Sequence, residues 1–186
     1  MRKMITLFQR NYGSDDLARN EVMPGAEWVL AGEGLATRKH DGTCCMVRDG
    51  RLYKRYDAKG GKPTPVGFEP AQEPDQRTGH WPGWVPVGDG PDDRWFREGF
   101  DASPGIPDGT YELCGPKVQG NPEKCETHVL IRHGSVVLTD CPRDYAGLRD
   151  YLVACDFEGI VWHHPDGRMV KLKRRDFVQS GPKRRS

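Results

Sequence analysis

The sequence predicts an α+β fold in which antiparallel sheets are flanked by a few helices. Three observations carry this. Extended runs broken by turn residues recur at 43–56, 127–138 and 158–173. Prolines followed by helix-forming residues mark two helix starts, at Pro91 and Pro142. No internal repeat is present, and 186 residues suit one domain with an adequate core.

Residues 4–8 read as a first strand. A short helix is predicted over 14–19, with Ser14 as its cap. The apolar Trp28-Val29-Leu30 follows, and 35–38 leads extended into Lys39. Residues 43–48 and 51–56 form a predicted hairpin, whose Asp49-Gly50 pair supplies the positive φ angles of a type I′ turn. Alternation puts Lys54 and Tyr56 on one face of the second strand and Arg55 on the other. Prolines 63, 65, 70, 74, 82 and 86 make 57–90 a predicted long loop. Its Trp81 and Trp84 either clamp it to the core or stack on a base. A helix is predicted over 91–100, a strand over 109–114, and a hairpin pairing 127–131 with 135–138 around His133-Gly134. A helix over 142–154 buries Leu148, Tyr151 and Leu152. The last hairpin joins 158–163 to 168–173 through Pro165-Asp166-Gly167.

Composition narrows the function. Lys and Arg number 28 against 27 Asp and Glu, so the whole chain is not a polyelectrolyte binder. Basic charge gathers at 171–175 and 183–185, which suits phosphates or a solubilising end. The six cysteines form no Cys-x-x-Cys pair, and residues 1–10 lack a signal-peptide core. They read as reduced thiols of a cytoplasmic protein. Cys125, His128 and His133 are zinc-type residues, but no second paired half accompanies them. No apolar run approaches the roughly 20 residues of a membrane-spanning helix.

The chemistry-bearing residues fall on predicted strands: Lys39, Glu112, Glu158, and the pair Lys171 and Lys173. Two lysines two residues apart share a strand face and repel unless an anion lies between them. A phosphate fits; a solvated face is the alternative. Lys39-His40-Asp41-Gly42 resembles the Lys-x-Asp-Gly motif of nucleotidyltransferases. Tyr111-Glu112-Leu113-Cys114-Gly115 is similar to their glutamate motif, Glu158-Gly159-Ile160-Val161 to Glu-Gly-hydrophobic-Val, and Lys171-Leu172-Lys173 to Lys-x-Lys. In this order they resemble the covalent nucleotidyltransferases: ATP-dependent RNA and DNA ligases and mRNA capping enzymes. The Thr43-Cys44-Cys45 extension, Gly115-Pro116-Lys117 and Trp81-Pro82-Gly83-Trp84 look most similar to the stand-alone 5′–3′ RNA ligase of vertebrates and microbial relatives.

The resemblance implies a minimal nucleotidyltransferase domain, an ATP-grasp-like ligase adenylation domain, over 1–175, with the nucleotide between its sheets. A basic tail (176–186) would follow, with no OB domain. It implies ATP and Mg²⁺ or Mn²⁺ as cosubstrate and cofactor, and a monomer acting in RNA repair on 5′-phosphate and 3′-hydroxyl ends. Lys39 would form lysyl-AMP, pass AMP to the 5′-phosphate, and the 3′-hydroxyl would expel it. Lys171 and Lys173 would hold the α-phosphate and, with the metal, favour a neutral Lys39. Glu112 would bind ribose, and Glu158 and Glu112 would serve metal or nucleotide. Arg55, with Lys54 as competitor, would touch ribose or phosphate. Ile160 would cover one adenine face, and His128 or Ile131 the other. Arg38, Arg48, Arg55, Arg174, Arg175 and the tail would contact RNA phosphates. A minimal DNA ligase and a non-catalytic nucleotide- or RNA-end-binding module are the alternatives.

Overall fold

The computed structural model describes residues 3–76 and 78–178. In chain order its elements are β1 (Ile5–Thr6), β2 (Phe8–Arg10), β3 (Ala18–Val22), α1 (Glu27–Leu30), β4 (Leu35–Lys39), β5 (Thr43–Arg48), β6 (Arg51–Lys59), β7 (Glu69–Pro70), β8 (His80–Pro86), α2 (Arg94–Asp101), β9 (Gly109–Cys114), β10 (Val129–Arg132), α3 (Tyr145–Ala154), β11 (Gly159–His163) and β12 (Met169–Lys173). Short 3-10 turns at Pro91–Asp93 and Arg174–Asp176 complete the set. The architecture is α+β with largely antiparallel sheets and few helices. Two units divide it. Among the described residues the first holds Lys3 and 40–133, and the second holds 4–39 and 134–178. The chain passes between them at Lys3–Met4, at Lys39–His40 and at His133–Gly134.

The first unit is an antiparallel sheet in the order β10-β9-β5-β6-β8-β7. Asp49 and Gly50, with φ of 51° and 68°, form the predicted turn between β5 and β6. One face carries Cys45, Val47, Leu52, Tyr111 and Leu113, packed under Trp95, Phe96 and Phe100 around α2. On this face Lys54 pairs with the buried Asp93. By alternation the opposite face carries Cys44, Arg55, Trp84, Glu112 and Ile131.

The predicted loop over 57–90 is largely sheet. Strand β6 runs on to Lys59, and β8 pairs with it from Tyr53↔Pro86 to Lys59↔His80. Prolines mislead here because two of them share one parity. The Pro82 carbonyl accepts from the Ala71 amide, away from β6, whereas the Val87 amide donates to Leu52 on β6. Pro82 and Pro86 therefore lack amides only on the side of the two-residue β7, and the ladder to β6 survives. Both tryptophans pack within the sheet unit. Trp84 is buried under the Arg55 guanidinium, 5.0 Å from the ring centre. Trp81 donates to the Gln72 carbonyl at 2.9 Å and meets Phe68 edge-on.

The second unit has a four-stranded sheet, β1-β12-β11-β4, with β1 joined parallel and the rest antiparallel. Ala36, Ile160, Trp162, Val170 and Leu172 form one face and pack with Phe8, Trp28, Val29, Leu148 and Leu152. Phe8 and its neighbours β2 and β3 form a separate ribbon.

Three other predicted elements differ. Residues 14–19 form no helix: Asp15 accepts from the Leu17 amide at 3.0 Å, Asp16 turns with φ 59°, and β3 begins at Ala18. The third helix starts at Tyr145 rather than Pro142, because Asp144 caps it by accepting from the Gly147 amide at 2.9 Å. The predicted 127–138 hairpin does not form. The Arg38 amide donates to Val136 and the Leu138 amide to Ala36, so 135–138 lies along β4. The basic residues 183–185 lie outside the described residues.

Candidate active site

The second unit gathers the lysines. Pairing sets Gly159 opposite both Lys39 and Lys173, and Val161 opposite Lys171 and Thr37. All these residues therefore share the sheet face opposite the core. Glu158, one residue before β11, reaches onto that face. Its carboxylate accepts from Lys39 at 2.5 Å and from Lys173. The sequence predicts an anion between Lys171 and Lys173; in this structure a carboxylate of the chain itself lies between Lys39 and Lys173 instead. Glycine at 159 is required, since a Cβ there would overlap the Leu172 carbonyl oxygen.

The electrostatics follow from this packing. Burial opposes charge on Glu158, but Lys39 and the hydrogen bonds from Lys173 and Lys39 outweigh it and hold the carboxyl below its ordinary range. Among the described residues no carboxylate forms such an ion pair with Lys171. Burial, then the charges of Lys173 and Lys39, pull its ammonium down to about 8.

The alternation moves two sequence candidates off this face. Ile160 is fully buried in the core, so it does not cover a base on the lysine side. Val161 takes that face instead. Arg38 pairs with Ile160 and lies with its guanidinium 5.3 Å from the Phe157 ring centre, also opposite Lys39. Arg174 and Arg175 are exposed in the turn directly after Lys173.

The first unit holds the glutamate motif. Glu112 is buried on the face that carries Arg55. Its Oε1 accepts from the Gly42 amide at 3.1 Å, and its Oε2 lies 2.8 Å from His133 Nε2. The glycine of Lys-x-Asp-Gly is explained by this approach: a Cβ on Gly42 would overlap the Leu113 carbonyl oxygen. Of the competing cations, Arg55 shares the Glu112 face, and Lys54 does not. Of the competing adenine neighbours, Ile131 pairs opposite Glu112. His128 is buried on the helix side, stacked 4.6 Å from Trp95 with Nδ1 at 2.9 Å from Glu98. Arg48 is engaged by the Glu69 carboxylate at 2.8 Å and lies over Tyr53.

Glu123 escaped the sequence reading, and His133 and Cys44 were named there without the places they take beside Glu112. Glu123 binds the loop after Lys39, its Oε1 accepting from the Asp41 amide at 3.0 Å and its Oε2 lying 3.1 Å from His40 Nδ1. No sequence signal marks a contact across 82 residues. His133 and Cys44 flank Glu112, and their strand parity relative to Glu112 was the available clue. Conversely, Cys125, His128 and His133 do not assemble. Among the described residues the grouping whose ligand atoms lie within 4.8 Å of one another is Cys44, Glu112 and His133.

A family model described as RNA ligase 1 matches residues 104–185. RNA ligase 1 of Mus musculus is 28% identical over 93% of this chain and 79% of its own length. The Rattus norvegicus protein of that name gives the same identity and shares, and the Danio rerio one is 25% identical over 89% of this chain and 74% of its own. The chain resembles RNA ligase 1. The stretch matched by the RNA ligase 1 model takes in β9 to β12, and with them Glu112, Glu158, Lys171 and Lys173.

Proposed function

We propose that the chain is an ATP-dependent RNA ligase that seals 5′-phosphate to 3′-hydroxyl ends through a lysyl-AMP on Lys39. The observation that carries this reading is the lysine face: Lys39, Lys171 and Lys173 share one side of a rigid sheet around a single carboxylate, Glu158. Its likeness to RNA ligase 1 supports RNA as the substrate.

The residues suit the steps. The Lys39 amine attacks the α-phosphorus of ATP, the bond to the β-phosphate oxygen breaks, and pyrophosphate leaves. Lys39 needs its lone pair, so its ion pair with Glu158 must open and its proton must depart first. Lys171 and Lys173 then meet negative charge on the α-phosphate without reorganising. The RNA 5′-phosphate displaces Lys39 from AMP, and the 3′-hydroxyl displaces AMP from the adenylated end. Glu158 offers the hard oxygen ligand that Mg²⁺ or Mn²⁺ would need beside the nucleotide phosphates. Bound there, the ion would neutralise phosphate charge. Glu112 and Arg55 suit the ribose and its phosphate, and Arg174 and Arg175 suit the RNA backbone. The reading makes the chain a minimal nucleotidyltransferase domain working in the cytoplasm as a monomer. Among the described residues no helix is long and apolar enough to cross a membrane.

The test is direct. Incubation with α-labelled ATP and Mg²⁺ or Mn²⁺ should leave label on the denatured chain, and Lys39→Ala should abolish it. A folded chain that takes no label, or a Lys39→Ala chain that still does, would overturn the reading. Nicked duplexes with RNA or DNA on either side, beside single-stranded RNA, identify the strand it seals.

A further inference from the structure

We propose that Cys44, Glu112 and His133 form a site for a thiophilic divalent ion of the Zn²⁺ class, separate from the hard-cation chemistry at Glu158. The three ligand atoms lie within 4.8 Å of one another, and three neighbouring strands fix them. Cys44 on β5 and Ile131 on β10 both pair with Glu112 on β9, and the His133 amide extends the β10 ladder by donating to Thr110 at 3.1 Å. Imidazole Nε2 and carboxylate Oε2 lie 2.8 Å apart as a hydrogen-bonded pair, and parting them by about half an ångström gives the spacing of neighbouring ligands on a tetrahedral ion with bonds of roughly 2.0 Å.

The ligands are themselves held. His133 Nδ1 lies 3.0 Å from Thr110 Oγ1, which orients the ring and turns Nε2 toward Glu112. The Gly42 amide holds the other oxygen of Glu112 at 3.1 Å. Thiolate, imidazole and carboxylate select a zinc-class ion over Mg²⁺, which wants oxygen alone. On binding, the Cys44 thiol releases its proton to solvent and the thiolate binds the ion. Thiolate and carboxylate then offset its two charges, and the fourth tetrahedral position stays open. One consequence rests on the ligase reading: an ion here engages Glu112 and withdraws it from ribose, so zinc would oppose adenylation.

Cobalt titration of the full chain after chelator treatment tests this. Co²⁺ should bind one per chain with a thiolate-to-cobalt absorption band in the near ultraviolet, and Zn²⁺ should bleach it. Cys44→Ser should lose the band and His133→Gln should weaken binding at least tenfold. Cys125→Ser should bind as the parent does. Metal-free thermal melts establish that each variant is folded, and Cys44→Ser, an oxygen-for-sulfur exchange, is the least disruptive. A parent chain with no band, or a folded Cys44→Ser chain that keeps it, would overturn the site. In the labelled-ATP assay with excess Mg²⁺, Zn²⁺ should inhibit the parent at concentrations at least tenfold lower than Cys44→Ser. Equal inhibition of both would overturn the link to adenylation. Because the cobalt band is read without ATP, a chain that binds cobalt yet takes no label would sink the ligase reading and leave the metal site standing.

Discussion

Glu158 carries more than its size suggests. Its side chain is 12% exposed, and it forms ion pairs with both Lys39 and Lys173. Replacing it by Gln leaves three cations on one face without an anion. Breaking such a pair typically costs about 3 kcal/mol, and urea unfolding of Glu158→Gln should read a loss of that order. Sulfate at tens of millimolar should restore part of it, since a bound anion takes over the role; no restoration would mean the lysines do not form an anion site. Gly42 poses a purely steric demand. Gly42→Ala should cost roughly 1–3 kcal/mol by overpacking against Leu113, measured by the same unfolding, and should depress lysyl-AMP formation. Both residues illustrate what a sequence reveals at this scale. The Lys171–Lys173 parity follows from strand geometry, and the glycines follow from motif. The partner of a glycine does not, because Leu113 and Gly42 meet only through the fold.

Among the elements, β12 stores an electrostatic cost. Lys171 titrates near 8 in the folded chain, against roughly 10.4 for an unfolded lysine. Between these values the unfolded chain holds a proton that the folded chain has released, so stability rises with pH across that window. Below about pH 8 both states are protonated and the penalty is complete. Lys171→Met should therefore raise the thermal midpoint at pH 7 and flatten the rise between pH 8 and 10, while impairing labelling by ATP. A variant with the parent's pH slope would assign that slope to another group. Strand β8 shows why an element stays hidden. Proline counts suggest a loop, but which amide a strand needs depends on the side its partner lies on, and Pro82 and Pro86 both fall on the lightly paired side. Ile160 was misplaced for a related reason: Glu158 precedes β11 and escapes its alternation, so Glu158 and Ile160 do not share a face.

At the scale of the whole molecule, the α+β class, the last hairpin and most strand positions were legible from turns and alternation. The pairing of 135–138 with β4 was not, because it joins segments about 100 residues apart. That same feature governs the order in which the chain can acquire structure. Every strand of the six-stranded sheet lies between residues 43 and 132, so a growing chain holds the whole sheet once that point has been made. The four-stranded sheet needs β1 and β4 from the beginning of the chain and β11 and β12 from near its end. Closing those long loops is the slower event. Pulse-labelling hydrogen exchange during refolding should protect β5, β6 and β9 amides before those of β4 and β11; the reverse order would refute this. In a cell, a ribosome releasing this chain early would leave Lys39 exposed on an unpaired strand, without Glu158. Of the two sheets the one that carries the lysine face is completed second, and a product truncated before Glu158 cannot carry it.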